Sequence, residues 1–295
     1  MSANLRGSLF MVLAMIGFAI EDAIFKGIAV TLPPGFTTLL FGLVGTLCFA
    51  VLCWRAGEPA LTRDALRPRL LIRSAIELVG RLFFALALAF TPLSSTSAIL
   101  QAAPLFVTLG AAVLLGEKVG PRRWIAMAFG FVGVLLILKP TPAAFEPQSI
   151  FALLGMIGFA GRDLATRMAP PAVSGRQLGT LGFLVITCAG LVFMMFDTAP
   201  PRLPAGHEAA RVLALGLVGV SAYMALTLAM RSGEVSVVAP FRYSRLLIAL
   251  LIAYLFFGER PDLWTLAGGL LIVVSGTYTL MRSGRASVPP APEGP

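Results

Sequence analysis

Ten apolar runs, each close to 20 residues long, govern what this chain can fold into. About 20 apolar residues of helix are needed to cross a bilayer core, and inside it only helices and closed barrels satisfy every backbone polar group. The runs fall at roughly 7–30, 35–54, 70–90, 95–116, 121–139, 149–168, 177–196, 209–230, 235–257 and 262–281. Most gaps hold turn or stop signals, such as Pro33-Pro34-Gly35, Arg55-Ala56-Gly57, Pro170-Pro171 and the stretch from Asp197 to Pro204. The gaps after runs 4 and 9 are tight, which predicts helical hairpins for runs 4/5 and 9/10. Composition agrees: 58% of the 295 residues are hydrophobic and 13% charged, against about 45–50% and about 25% in soluble domains. The expectation is an all-α membrane protein. Run 1 could pass for a signal peptide, but Glu21, Asp22 and Lys26 fall where a cleavage region is small and neutral, so it reads as a retained helix.

The net charge of +9 would suit nucleic acid if it were clustered, but the cations sit in the gaps. With the N-terminus inside, the inner loops hold Arg6, Arg55, Arg63, Arg67, Arg69, Arg73, Lys118, Arg122, Arg123, Arg167, Arg176, Arg231, Arg282 and Arg285. The outer loops hold only Lys139, Arg202, Arg211 and Arg260. This asymmetry predicts cytoplasmic N- and C-termini in an inner-membrane protein and explains the basicity without a nucleic-acid partner. His207, alone of its kind, and Cys48, Cys53 and Cys188 make no metal cluster or disulfide framework, so no cofactor is expected.

An internal repeat runs through the chain. Met15-Ile16-Gly17-Phe18-Ala19 returns as Met156-Ile157-Gly158-Phe159-Ala160, with Asp22 over Asp163 and Lys26 over Arg167. Ala85 to Ala89 matches Ala225 to Ala229, and Gly116-Glu117-Lys118 matches Gly258-Glu259-Arg260. Each half holds five runs, and an odd number sends the second copy through the membrane from the opposite side. The predicted fold is therefore ten transmembrane helices in two inverted five-helix repeats, residues 5–140 and 149–282, around a central cavity, followed by a disordered cytoplasmic tail at 283–295.

Ionisable groups inside a bilayer cost several kcal/mol each unless paired or wetted, so each is a candidate for the substrate site. They are Glu21 and Asp22 in run 1, Glu77 and Arg81 in run 3, Arg162 and Asp163 in run 6, and Arg242 and Arg245 in run 9. Gln101, Tyr223 and Tyr243 are their uncharged companions, and Lys26 is placed to snorkel. Runs 2, 5, 7 and 10 are dry, which predicts that the other six surround the cavity. Four acids against four arginines suit a ligand bearing both signs. Glu77 and Arg81, four apart, either neutralise one another or present Arg81 to ligand. Arg242 and Arg245 follow the kink-forming Pro240; their partners are Asp22 and Asp163, or an anionic substrate group. Asp22 and Asp163 are possible proton carriers. Gly42, Gly45, Gly130, Gly133, Gly268 and Gly269 sit at spacings that admit close helix packing, and Trp54, Trp124 and Trp264 sit near helix ends as interfacial residues.

Pro104 through Gly116-Glu117, with Trp124 and Gly130/Gly133, resembles an EamA domain, and Pro240 through Gly258-Glu259-Arg260, with Gly268/Gly269, resembles its second copy. The stretch Val235 to Arg245 looks like a bacterial subgroup of the drug/metabolite transporter superfamily that includes amino-acid and metabolite exporters and S-adenosylmethionine carriers. The resemblance implies alternating access around a central cavity, and the sequence shows no His cluster, HExxH, GxSxG or Ser-Lys pairing that would suit an intramembrane enzyme. The expected function is export of amino acids or similar zwitterionic metabolites. Uptake of S-adenosylmethionine or a nucleoside-like metabolite is the alternative, and export of drugs or toxic compounds the second. Partners are a small-molecule substrate and the lipid bilayer, with the protein a monomer or homodimer.

Overall fold

The computed structural model describes residues 2–61, 67–90, 99–139, 147–257 and 262–285, and every regular element among them is helical. In chain order these are α1 (Ala3–Ile28), α2 (Pro34–Arg55), α3 (Pro68–Phe90), α4 (Ala103–Leu114), α5 (Pro121–Leu138), α6 (Ser149–Arg167), α7 (Gly175–Met194), α8 (Gly206–Arg231), α9 (Val235–Val238), α10 (Ser244–Phe257) and α11 (Leu263–Arg285). The tenth run is thus α11. The ninth is broken: α9 passes through a 3-10 turn, Ala239–Tyr243, into α10. Pro240 removes a backbone donor there and drives the break. Of the fourth run, expected from residue 95, the described part is helical at 99–100, turns at 101–102 and continues as α4 from Ala103, beside Pro104. Six of the helices are long and apolar enough to span a membrane by composition alone: α1, α2, α5, α6, α7 and α8. α3 has the length too, but it carries Arg69, Arg73, Glu77 and Arg81. The expectations for the side chain of Lys26, for Gly258-Glu259-Arg260 and for the tail beyond 285 fall outside the described residues.

Helix starts follow local chemistry. Ser2 Oγ accepts from Leu5 N–H at 3.3 Å, and Ser174 and Gln177 form a reciprocal capping box at α7. Pro34, Pro104 and Pro121 stand in first turns, where no intrahelical donor is lost. Carboxylates from neighbouring helices satisfy other free N–H groups. Asp197, past the end of α7, accepts from Gly35 and Phe36 N–H at 2.9 Å each. Glu58, past the end of α2, accepts from Ser174 Oγ at 2.6 Å and from Arg176. Those two bonds hold the Glu58 carboxyl below its ordinary range.

The helices pack mainly as α1 on α8, α3 on α6, α2 on α7 and α5 on α11. Exchanging the two halves turns the first pair into the second and maps each of the others onto itself. The reciprocity reaches individual side chains. Gly45-Thr46-Leu47-Cys48-Phe49 on α2 and Gly179-Thr180-Leu181-Gly182-Phe183 on α7 are one five-residue word with a single change. Phe183 lies where a Cβ on Gly45 would be, and Phe49 where a Cβ on Gly179 would be. Gly133 and Gly268 likewise face each other's carbonyl oxygens across α5 and α11. Close backbone approach through glycine is how membrane helices gain packing without a hydrophobic drive. It also corrects an expectation. Runs 4 and 5, despite their short connection, touch little; α5 gives its glycine face to α11, while α4 packs on α6.

The face of the bundle on which α1 begins is closed. Met11, Ala14, Met15, Val107, Ala111, Leu164, Leu226, Met230, Val235 and Val238 fill its interior as one buried cluster. Outside that cluster, Glu117 accepts from the N–H groups of Val235 and Ser236 at 2.8 and 3.0 Å. Arg123 reaches Glu234 at 2.5 Å and Ser236 Oγ at 3.0 Å, and Glu234 N–H donates to Asn4 Oδ1 at 2.8 Å. The turn that makes this possible needs glycine, because Gly233 has φ +65° and a Cβ there would strike Asn4.

Candidate functional site

The polar side chains of α3 and α6 meet in a buried ionic cluster. Glu77, fully buried, receives Arg73 at 3.4 Å, Arg81 at 3.3 Å and Arg162 at 3.4 Å. Tyr223 OH on α8 donates to Glu77 Oε2 at 3.1 Å and accepts from Arg73 Nη2 at 2.6 Å, while Arg73 Nε donates to Thr166 Oγ1 at 3.0 Å. Arg162 stacks over the Phe159 ring at 5.5 Å and donates to Asp163 Oδ1 through Nε and Nη2, at 2.9 and 2.7 Å. The other Asp163 oxygen meets Arg242 at 2.5 Å. α3, α6, α8 and the 3-10 turn thus contribute to one network. The Tyr223 ring is held by an aromatic stack, with centroids 5.6 Å from Phe183 and 6.2 Å from Phe49. The reciprocal glycine–phenylalanine joint of α2 and α7 thereby supports the polar centre.

A second group lies at the edge of this cluster. Asp22 on α1 pairs with Arg245 on α10, whose guanidinium lies over the Phe18 ring at 5.8 Å. Here the side chains are 57% and 39% exposed. A charged pair facing hydrocarbon would be costly, which makes this side of the pair the candidate opening. It faces away from the closed end, because Asp22 sits beyond Met11 and Met15 along α1. Glu21, beside it, turns toward Gly219 of α8, and its Oε2 is buried without a hydrogen-bond partner.

Nine of the eleven residues singled out from the sequence gather in these two groups: Glu21, Asp22, Glu77, Arg81, Arg162, Asp163, Tyr223, Arg242 and Arg245. The structure does not bring Gln101 or Tyr243 to them. Gln101, half-buried ahead of α4, joins none of these bonds. Tyr243 points to the other side of the 3-10 turn, packing with Val134 and Ile272 and against Gly130. The expected partners of the two run-9 arginines are met: Arg242 finds Asp163 and Arg245 finds Asp22. Arg73 was assigned to an inner loop and is instead 1% exposed in the network. Its signal was the i, i+4 ladder Arg73, Glu77, Arg81 on α3, which puts all three on one face. Moving it inward leaves thirteen inner-loop cations against four, and changes the core to five arginines against four acids. The surface groove lined by Val132, Leu135, Leu136, Lys139 and Trp264 belongs to α5 and α11, which carry none of the candidates. Among the described residues, no group of His, Cys, Asp and Glu could hold a metal ion.

The model of the EamA-like transporter family matches residues 5–139 and again 147–281. The chain is 30% identical over 274 residues to the pseudopaline exporter CntI of Pseudomonas aeruginosa, covering 91% of this chain and 94% of the relative. It is 27% identical to a riboflavin transporter of Rhizobium johnstonii, covering 97% and 94%. It is 26% identical to an S-adenosylmethionine uptake transporter of Rickettsia prowazekii, covering 94% and 92%. One crystal structure shares the fold with a TM-score of 0.79 at 20% identity, covering 95% of this chain and 98% of its own.

Proposed function

This chain belongs to the EamA-like transporter family, and on that premise we propose that it is a secondary transporter of the bacterial inner membrane that exports amino acids or similar small zwitterionic metabolites by alternating access. Family and relatives make it a multi-pass membrane transporter of small molecules, not an enzyme. The observation that carries the finer reading is the partly exposed Asp22–Arg245 pair, one residue from each half of the chain. A zwitterion can insert between the two, its ammonium taken by Asp22 and its carboxylate by Arg245, so that no charge is stranded in the membrane interior. Arg242, Asp163, Arg162 and Glu77 extend this surface inward. Breaking and remaking such bridges between the halves would couple occupancy to which face is open. The excess of basic inner-loop residues supports cytoplasmic termini, which makes the closed face cytoplasmic and this conformation the outward-facing, release-competent one.

Uptake of S-adenosylmethionine or a related nucleoside-like metabolite is the second reading, favoured by the full-length similarity to the Rickettsia relative. Counterflow in proteoliposomes separates the two, with labelled amino acids tested singly and S-adenosylmethionine and riboflavin in parallel. Accumulation of an amino acid is expected, abolished by Arg242→Ala and by Arg245→Ala with membrane insertion intact. Accumulation of S-adenosylmethionine or riboflavin alone would overturn the export reading, and unchanged flux in both variants would remove the two arginines from the site.

A further inference from the structure

The charge ledger of the core points beyond a neutral zwitterion. Within the network linked by contacts of 3.4 Å or less, Arg73, Arg81, Arg162 and Arg242 share just two carboxylates, Glu77 and Asp163. Guanidinium groups cannot shed their charge by deprotonation. Arg73 and Arg162 make the most contacts of the four, although Arg73 Nη1 is also buried without a hydrogen-bond partner. Arg73 spends its donors on Glu77, Thr166 and Tyr223, and Arg162 grips Asp163 through two nitrogens while touching Glu77. Those two arginines already neutralise the two acids.

Arg81 and Arg242 are left over. Among the described residues, the one ion pair of Arg81 is a share in Glu77 Oε1 at 3.3 Å, with Glu21 acting on it from farther off, and its buried Nε has no hydrogen-bond partner. Arg242 touches one oxygen of Asp163, and its Nε is likewise buried without a partner. One comes from each half of the chain. Asp22 and Arg245 cancel one another. Even with Glu21 counted as a carboxylate, positive charge remains in excess among the described core residues. A neutral zwitterion settles Asp22 and Arg245 but leaves that excess untouched, at a cost of several kcal/mol per unpaired charge.

We infer that the cargo carries net negative charge: an amino-acid-like metabolite with at least one additional carboxylate, which Arg81 and Arg242 receive through their unmet N–H groups. The planar guanidinium fork matches a carboxylate in geometry as well as charge. The inference rests on the export reading for the location of the site and adds the class of cargo. It gives the excess arginines a partner that none of the described residues supplies: the cargo's second carboxylate completes their coordination.

The test uses pairs that differ by one negative charge, near-isosteric in the first two: labelled aspartate, glutamate and iminodiacetate against asparagine, glutamine and glycine, in proteoliposome counterflow with the full chain. The dicarboxylates are expected to accumulate at least tenfold faster than their neutral partners. Arg81→Gln and Arg81→Met are expected to bring that ratio toward one, a change in selectivity that general damage to the fold would not produce. Should the variants fail to insert, the wild-type ratio alone decides. Neutral amino acids moving while dicarboxylates do not would overturn this inference and leave the export reading standing. Silence for all six would sink both. Equal inhibition of dicarboxylate flux by inorganic phosphate and by an unlabelled dicarboxylate at one concentration would also overturn it, because the arginines would then be a general anion seat.

Discussion

Arg73 shows what burial does to a charged residue. In a loop it would be one cation among many; between Glu77, Thr166 and Tyr223 it holds the middle of a polar network within a membrane protein. Removing one partner of a buried ion pair leaves the other charge bare, at about 3–5 kcal/mol. Arg73→Ala is therefore expected to lower the stability of the folded protein by that order, read as the midpoint of thermal unfolding in detergent. Tyr223→Phe removes two charge-assisted hydrogen bonds but no charge, and should lose about 1.5–3 kcal/mol. Equal, small losses in both would show that the network is not a structural unit. Residue-scale reading from sequence found Glu77, Arg81, Arg162, Asp163, Arg242 and Arg245, because a charge inside an apolar run stands out. It missed Arg73 because that residue lies only five positions past Pro68, where the run meets its loop.

At the scale of elements, packing is decided by where glycine lets a neighbour in. The α2–α7 joint seats Phe183 on Gly45 and Phe49 on Gly179, with the two rings 5.6 Å apart. Adding a methyl at Gly45 forces the ring away from its seat, an overpacking penalty of about 1–3 kcal/mol. Gly45→Ala is expected to destabilise by that amount, and adding Phe183→Ala should cost less than the two single losses combined, giving a coupling energy above about 0.5 kcal/mol in a double-mutant cycle. Strict additivity would show that the two side chains do not meet. The repeated word that builds this joint escapes a search at the offset of the other anchors, near 141, because its own is 134. The break in the ninth run was legible in Pro240. The failure of runs 4 and 5 to pair was not, since a short loop says that two helices are adjacent in sequence, not which faces they bury.

For the whole molecule, the question is what keeps one face shut. The halves are joined there by Glu117 on the first turn of α9, by Arg123 on Glu234 and Ser236, and by Asn4 on Glu234 N–H. Charge-assisted hydrogen bonds of this kind contribute about 1.5–3 kcal/mol each, and populations shift tenfold per 1.4 kcal/mol. Glu117→Gln is expected to open that face more often. A cysteine placed at Val238, which is fully buried here, should then react with a water-soluble maleimide several-fold faster than in an otherwise unchanged background. Unaltered labelling would mean that the apolar cluster behind the latch, not the latch itself, holds the face closed.

By itself, the sequence determined that the chain is helical, spans a membrane and consists of two related halves. Those properties follow from run length, charge asymmetry and repetition, all of which are local or periodic along the chain. It also displayed most of the charged core, because the bilayer makes every interior charge conspicuous. Only the tertiary structure decided which charges share partners: that Arg73 joins the core, that Tyr243 leaves it, that Asp163 serves two arginines and that Glu21 forms no salt bridge among the described residues. Pairing depends on helix rotation and depth, set by glycine seats and aromatic contacts between segments from about forty to well over a hundred residues apart, and no short window along the chain contains both sides of such a contact.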